Sequence, residues 1–97
     1  LYIICMKAVD ACWVRPQDGK SHGDIDVAIA TEHLCLAAAE RGLGSCWVCN
    51  YKVAKLAELF PCPGYEAIAV IPIGHIAPDC PMNEKKRKPL EEITEIV

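Results

Sequence analysis

Two apolar runs frame the chain. Residues 1–6 (LYIICM) and 65–74 (YEAIAVIPIG) are nearly continuous in apolar side chains and rich in β-branched ones. Runs of this length, bounded by turn signals, read as buried strands. The longest apolar stretch lies between them and has a different period. From Ile25 to Arg41 the chain is rich in Ala and Leu. Asp24 is placed to cap a helix there, and Gly42 to stop it. Asp26, His33 and Glu40 recur every seven residues and fall on one narrow stripe, while residues 27–30 and 34–39 are almost wholly apolar. A helix that is apolar nearly all round is expected to be buried nearly all round.

The remaining segments are shorter. Residues 45–51 read as a strand, 52–60 as an amphipathic helix and 61–64 (PCPG) as a turn. Residues 7–23, with Pro16 and Asp18-Gly19, read as a loop, within which Trp13 and Arg15 are expected to pack against the core. Residues 75–84 form a Pro-rich connection. Leu90, Ile93 and Ile96 or Val97 make an apolar ridge on the last segment. The order β-α-β-α-β points to an α/β or α+β domain.

Composition sharpens this picture. The chain has 97 residues and is 53% hydrophobic, more than a domain so small can bury alone. A second subunit, or a missing half of a larger fold, is expected to cover part of it. The chain begins abruptly, as a fragment of a longer protein would. A net charge of −3 argues against nucleic-acid binding, although Lys85-Lys86-Arg87-Lys88 is a local basic block followed by Glu91, Glu92 and Glu95. No run reaches membrane-spanning length, and residues 1–6 are too short and lack the basic start of a signal segment. The seven cysteines are irregularly spaced and several sit in apolar runs. They read as mostly reduced and buried, and the chain as cytoplasmic.

Cys46 and Cys49 form a Cys-x-x-Cys that admits three readings. A redox dithiol needs its first sulfur at a helix N-terminus, where the dipole lowers the thiol pKa. In a strand, residues three apart face opposite sides, so the two sulfurs would diverge. A structural zinc site wants four ligands, usually as two close pairs, and only one such pair exists, with His75 and Cys80 scattered beyond it. Bystander thiols are the favoured reading, ahead of a redox pair and then a metal site.

A family likeness runs along the chain in one continuous order. Its parts are Trp13-Val14-Arg15-Pro16-x-Asp18-Gly19-Lys20, the segment from Asp24 to His33, and Leu36-Ala37-Ala38-Ala39-Glu40-x-Gly42-Leu43-Gly44-x-Cys46-Trp47. Ile71-Pro72-Ile73-Gly74-His75-x-Ala77 and Lys85-Lys86-Arg87-Lys88-Pro89-Leu90-Glu91-Glu92 continue it. Together they resemble the C-terminal part of the FMN-dependent nitroreductase domain. The Arg-Ser-x-Arg motif of that family's N-terminal part has no counterpart here.

The resemblance implies an α+β fold that forms a homodimer through long central helices, with FMN in the interface. It implies a hydride transfer from NAD(P)H through FMN to nitroaromatic or quinone-type acceptors. Trp47, Val48, Cys49 and Asn50 match the segment whose backbone approaches flavin N5, and Lys85 and Arg87 match the pair that contacts the FMN phosphate. No catalytic acid or base is assigned, and no metal. His33 reads as structural; His22 and His75 are candidates for ligand contact. The alternatives are a non-catalytic flavin-binding or dimerisation fragment and, third, a thiol oxidoreductase using Cys46 and Cys49.

Overall fold

The protein is described by a computed structural model covering residues 1–81 and 83–96; Met82 and Val97 lie outside the described residues. The five main elements are β1 (Tyr2–Ala8), α1 (Gly23–Glu40), β2 (Leu43–Ser45), α2 (Val53–Leu59) and β3 (Tyr65–His75). They form a three-stranded antiparallel sheet in the order β1-β3-β2, with α1 packed across it. Single 3-10 turns occupy Val9–Ala11 and Leu90–Glu92. Among the described residues no helix is long and apolar enough to cross a membrane.

β3 is the central strand. It pairs with β1 from Tyr2↔Pro72 to Ala8↔Tyr65, with one register shift between Cys5 and Met6, and with β2 from Leu43↔His75 to Ser45↔Ile73. Ile3 and Cys5 stand opposite Ile71 and Ala69, so these four share one sheet face. Ala69 and Ile71 have no exposed surface. The other face carries Tyr2, Ile4, Val70 and Pro72, all exposed or half-buried.

Helix α1 presents Val27, Thr31, Leu34 and Ala38 to the sheet at alternating spacings of four and three. Thr31 and Ala38 are buried, and the Thr31 hydroxyl donates to the Val27 carbonyl at 2.7 Å, which satisfies it inside the apolar layer. The opposite side of the same helix carries Ile25, Ile29 and Leu36, which remain 44%, 53% and 58% exposed. The all-round burial expected of this helix is therefore met on one side only by the chain itself. The stripe of Asp26, His33 and Glu40 is exposed beside them.

The helix ends as the sequence indicates. Gly42 adopts φ +69°, and its N–H donates to the Ala39 carbonyl at 2.9 Å. That conformation favours glycine and closes the last turn. The start differs. The helix begins at Gly23 with His22 at the cap position and no side-chain cap. Asp24 lies in the first turn instead, where its carboxylate accepts from Lys7 Nζ at 2.6 Å; the same ammonium lies 2.9 Å from Glu66. The Asp24 carboxylate is engaged by the Lys7 ammonium, and an acid in the first turn still complements the helix dipole. The hydrogen bonds to Asp24 and then Glu66 hold the Lys7 ammonium well above the usual lysine range. One cation thus ties β1 to both β3 and α1.

Residues 13–22 form a small strap closed by the Val14↔Ser21 bridge and by the Arg15–Asp18 ion pair, which holds the Asp18 carboxyl below its usual range. Trp13 and Arg15 do not pack the strap into the core as expected. Trp13 is 57% exposed, with its ring edge-on to His22 at 4.8 Å, and Arg15 is spent on Asp18. The cysteines correct a further expectation. All seven are free thiols, but Cys5, Cys12 and Cys35 are only half-buried and Cys46, Cys49, Cys62 and Cys80 are exposed. An interior whose buried apolar residues are Ala38, Ala69 and Ile71 has no room for them. Leu90, Ile93 and Ile96 of the expected ridge are also exposed.

Gly23 is the tightest junction. A Cβ built there would stand 2.2 Å from Cys12 Sγ and 3.1 Å from Cys12 Cβ. Gly23→Ala is expected to cost about 1–3 kcal/mol, the usual range for forced overpacking. Thermal denaturation should show the loss, and Cys12→Ala in the same chain should recover most of it. A double variant as unstable as Gly23→Ala alone would place the constraint elsewhere.

Candidate active site

The turn at Gly42 sends the chain back along the free edge of β3. The sequence predicts a strand over residues 45–51, whereas regular strand is confined to Leu43–Ser45, with one isolated bridge at Val48↔Val70. The register shows why. Pairing continues without a shift, because Cys46 N–H donates to Pro72 O at 3.3 Å and Val48 exchanges bonds of 3.1 and 2.9 Å with Val70. Pro72 has no N–H, so it returns nothing to the Cys46 carbonyl and the ladder is interrupted there. The segment runs alongside the sheet but is attached at discrete points.

A third attachment follows. The Tyr51 hydroxyl donates to the Ala67 carbonyl at 2.8 Å. Burial, then the nearby charges of Cys49 and Glu66, push the Tyr51 pKa up, so the phenol keeps the proton it donates. Residues 46–51 are thereby held against β3 by Cys46, Val48 and Tyr51.

This arrangement sets the outward-facing groups. In an antiparallel pair, alternate residues direct their backbone groups to opposite edges. Cys46 and Val48 N–H point to β3, so Trp47 and Cys49 N–H point away from it. Among the described residues, the Trp47, Cys49 and Asn50 N–H groups have no hydrogen-bond partner. Val48 is half-buried, while Trp47, Cys49 and Asn50 are exposed. An exposed edge of unpaired donors, with Trp47 on it, suits a flat heteroaromatic ring carrying acceptor nitrogens and oxygens. The donor set therefore fits a flavin.

A groove of about 440 Å³ adjoins this segment. Tyr2 and Cys46 flank it, Pro72 and Gly74 line it, and Ile76 and Cys80 also border it. His75 lines the same groove and is exposed. His22 sits apart, with Nε2 buried and unpaired against Trp13. Lys85 and Arg87 are exposed in the irregular residues 83–89, and among the described residues no hydrogen bond or ion pair ties them to residues 46–51.

The geometry also weighs on Cys46 and Cys49. Neither lies at a helix N-terminus, since α2 begins at Val53. Among the described residues no three His, Cys, Asp or Glu side chains are grouped to hold a metal ion. Among the described residues the hydrogen-bond partner of the Cys46 thiol is a backbone group, the Trp47 carbonyl at 3.8 Å. Among the described residues no cationic side chain is hydrogen-bonded to it, and an activated thiolate outside a helix N-terminus needs one. Two site features escaped the sequence reading. Pro72 was legible as a ladder break within a strand pattern. The Tyr51 bond, spanning 16 residues, carries no local signal.

Comparison with known proteins places this geometry. The Nitroreductase family profile matches residues 2–75. A nitroreductase family protein from Clostridium difficile 630, solved by crystallography, is 37% identical and superposes with a TM-score of 0.87, over 97% of this chain and 57% of that one. The Nitroreductase Family Protein from Streptococcus pneumoniae TIGR4 is 23% identical with a TM-score of 0.67, over 75% of this chain and 36% of that one, and speaks to fold alone. The chain thus spans less than two thirds of either structure's length. A search of curated proteins finds no match. The α+β, nitroreductase-like fold expected from the sequence is the fold observed. Matched by the family profile from residue 2 to residue 75, the chain belongs to the nitroreductase family.

Proposed function

We propose that this chain is the C-terminal part of a flavin-dependent oxidoreductase that uses FMN and takes hydride from NAD(P)H for delivery to nitroaromatic or quinone-type acceptors. Family membership supports the flavin-dependent class. The observation that carries the reading is the edge beside β3 where, among the described residues, the Trp47 and Cys49 N–H groups are unpaired and face outward. FMN, when bound, would supply the hydride- and electron-transfer chemistry. The protein's part is to bind and orient. Trp47 and Cys49 offer backbone donors, Val48 anchors the segment from behind, and Asn50 adds a further donor. Lys85 and Arg87 are suited to a phosphate dianion.

A homodimer completes the proposal. Its support is the apolar outer side of α1, with Ile25, Ile29 and Leu36 exposed in a row. The seven free thiols suit a reducing, cytoplasmic setting.

FMN is expected to co-purify with the protein and give flavin absorption bands. A colourless protein that gains no bands on titration with FMN would sink the reading. Arg87→Ala should lose a charge-assisted contact of about 1.5–3 kcal/mol, a roughly ten- to hundred-fold loss of FMN affinity. Lys86→Ala should do much less. Equal losses in a fluorescence titration would show that net charge alone matters and that Lys85 and Arg87 are not a specific grip.

Sulfur is not required by this scheme. Cys46→Ser is expected to retain NAD(P)H oxidation, because serine keeps the Cys46 N–H bond to Pro72. Loss of turnover in Cys46→Ser with FMN still bound would favour the dithiol reading instead.

A further inference from the structure

The segment proposed to receive the flavin is attached to the sheet unusually lightly. Cys46 gives one bond and, because of Pro72, receives none. Val48 gives and receives one. Beyond Val48 the backbone of residues 49–52 makes no backbone bond to β3 among the described residues; the only link there is the Tyr51 hydroxyl on Ala67 O at 2.8 Å. Cys49, whose N–H faces outward, and Asn50 lie between the Val48 bridge and the Tyr51 link. A peptide stretch held at both ends has few conformations to lose on binding. One held only at Val48 would pivot about that bridge.

We infer that Tyr51 is a positioning residue for the cofactor: its hydroxyl, bound to the Ala67 carbonyl, fixes the backbone of Cys49 and Asn50 in the orientation that presents the Cys49 N–H to the flavin. This rests on the proposed flavin reading of residues 47–50. The Tyr51 hydroxyl is taken up by Ala67, so its effect would reach the cofactor through the peptide units before it. The half-buried phenol has its pKa raised by burial, so it remains a donor across the neutral range.

The test compares the wild-type protein, Tyr51→Phe and Lys7→Met. Tyr51→Phe keeps the ring and removes one hydroxyl. Lys7→Met removes the Asp24 and Glu66 pairs at the far end of β1 and serves as a control for general loss of stability. Three quantities are read: amide exchange in the flavin-free protein, FMN affinity by fluorescence quenching, and the midpoint potential of bound FMN. Tyr51→Phe should speed exchange of the Val48 amide and weaken FMN binding about three- to tenfold, the equivalent of one lost hydrogen bond. It should also shift the flavin potential, because the donors at the ring are no longer fixed. Lys7→Met should lower thermal stability and leave the potential unchanged.

If Tyr51→Phe binds FMN as the wild type does, with the same potential, the inference is overturned while the flavin reading stands. If Tyr51→Phe and Lys7→Met change affinity and potential alike, Tyr51 is merely structural and the inference is again overturned. If the wild type takes up no FMN, the flavin reading fails first and the inference with it.

Discussion

Strand β3 has hydrogen-bonded neighbours on both edges, and the rest of the fold is organised by it. β1 pairs along most of its length, β2 along its C-terminal end, and α1 lies across the face where Ala69 and Ile71 are fully buried. A central strand must give and accept on both sides to hold such a sheet. On the β2 side this pairing is interrupted at Pro72, which has no N–H to give. The proposed site begins at that gap. The backbone beside Pro72 cannot settle into a regular ladder, so residues 46–51 run along the sheet with their outer N–H groups unpaired. A full strand there would be stiffer and better bonded. The outer edge would carry the same donors, but the Tyr51 link would have nothing to add.

The second constraint is the shortage of interior. Buried apolar side chains reduce to Ala38, Ala69 and Ile71, with Thr31 among them. So small a core cannot by itself explain an 18-residue helix that is apolar on two opposite sides. The Lys7 cluster compensates in part, joining both long strands to the first turn of α1 through one ammonium that is largely shielded from water. It fixes the position of the helix start, and the Gly23–Cys12 contact fixes its depth. The outer row of Ile25, Ile29 and Leu36 is then presented in a defined orientation, which is what a self-complementary helix interface requires.

Local signals account for what was legible in the sequence. The apolar runs at residues 1–6 and 65–74 marked the two long strands, because buried strands need little else to be recognised. The helix and its stop at Gly42 followed from periodicity and from glycine's tolerance of positive φ. The failures share a cause. Asp24 is a good cap in isolation, but a lysine 17 residues away claims its carboxylate. Trp13 looked like a core residue, but the core it would enter is not supplied by these residues. Residues 45–51 have strand composition, yet their pairing is decided by a proline more than 20 positions later. For the proposed site, Trp47 to Asn50 are assigned by resemblance, whereas the Tyr51 link has no local signal, since nothing nearby in sequence indicates which carbonyl a tyrosine will reach.

Cys46 and Cys49 show how the same spacing can serve different chemistry. Cys-x-x-Cys works with sulfur when a helix dipole or a neighbouring cation stabilises the thiolate. Here the pair lies in an extended segment, before α2 begins, and the Cys46 thiol is directed to the Trp47 carbonyl. The residues are positioned by their peptide groups: Cys46 N–H holds the segment to β3, and Cys49 N–H faces outward. Backbone groups carry no side-chain identity, so such a site tolerates cysteine where another residue would serve. The specific demands fall on residues that shape the backbone, Pro72 by withholding a donor and Tyr51 by supplying one. A site defined this way is set less by the groups that would meet the ligand than by those that hold them in place.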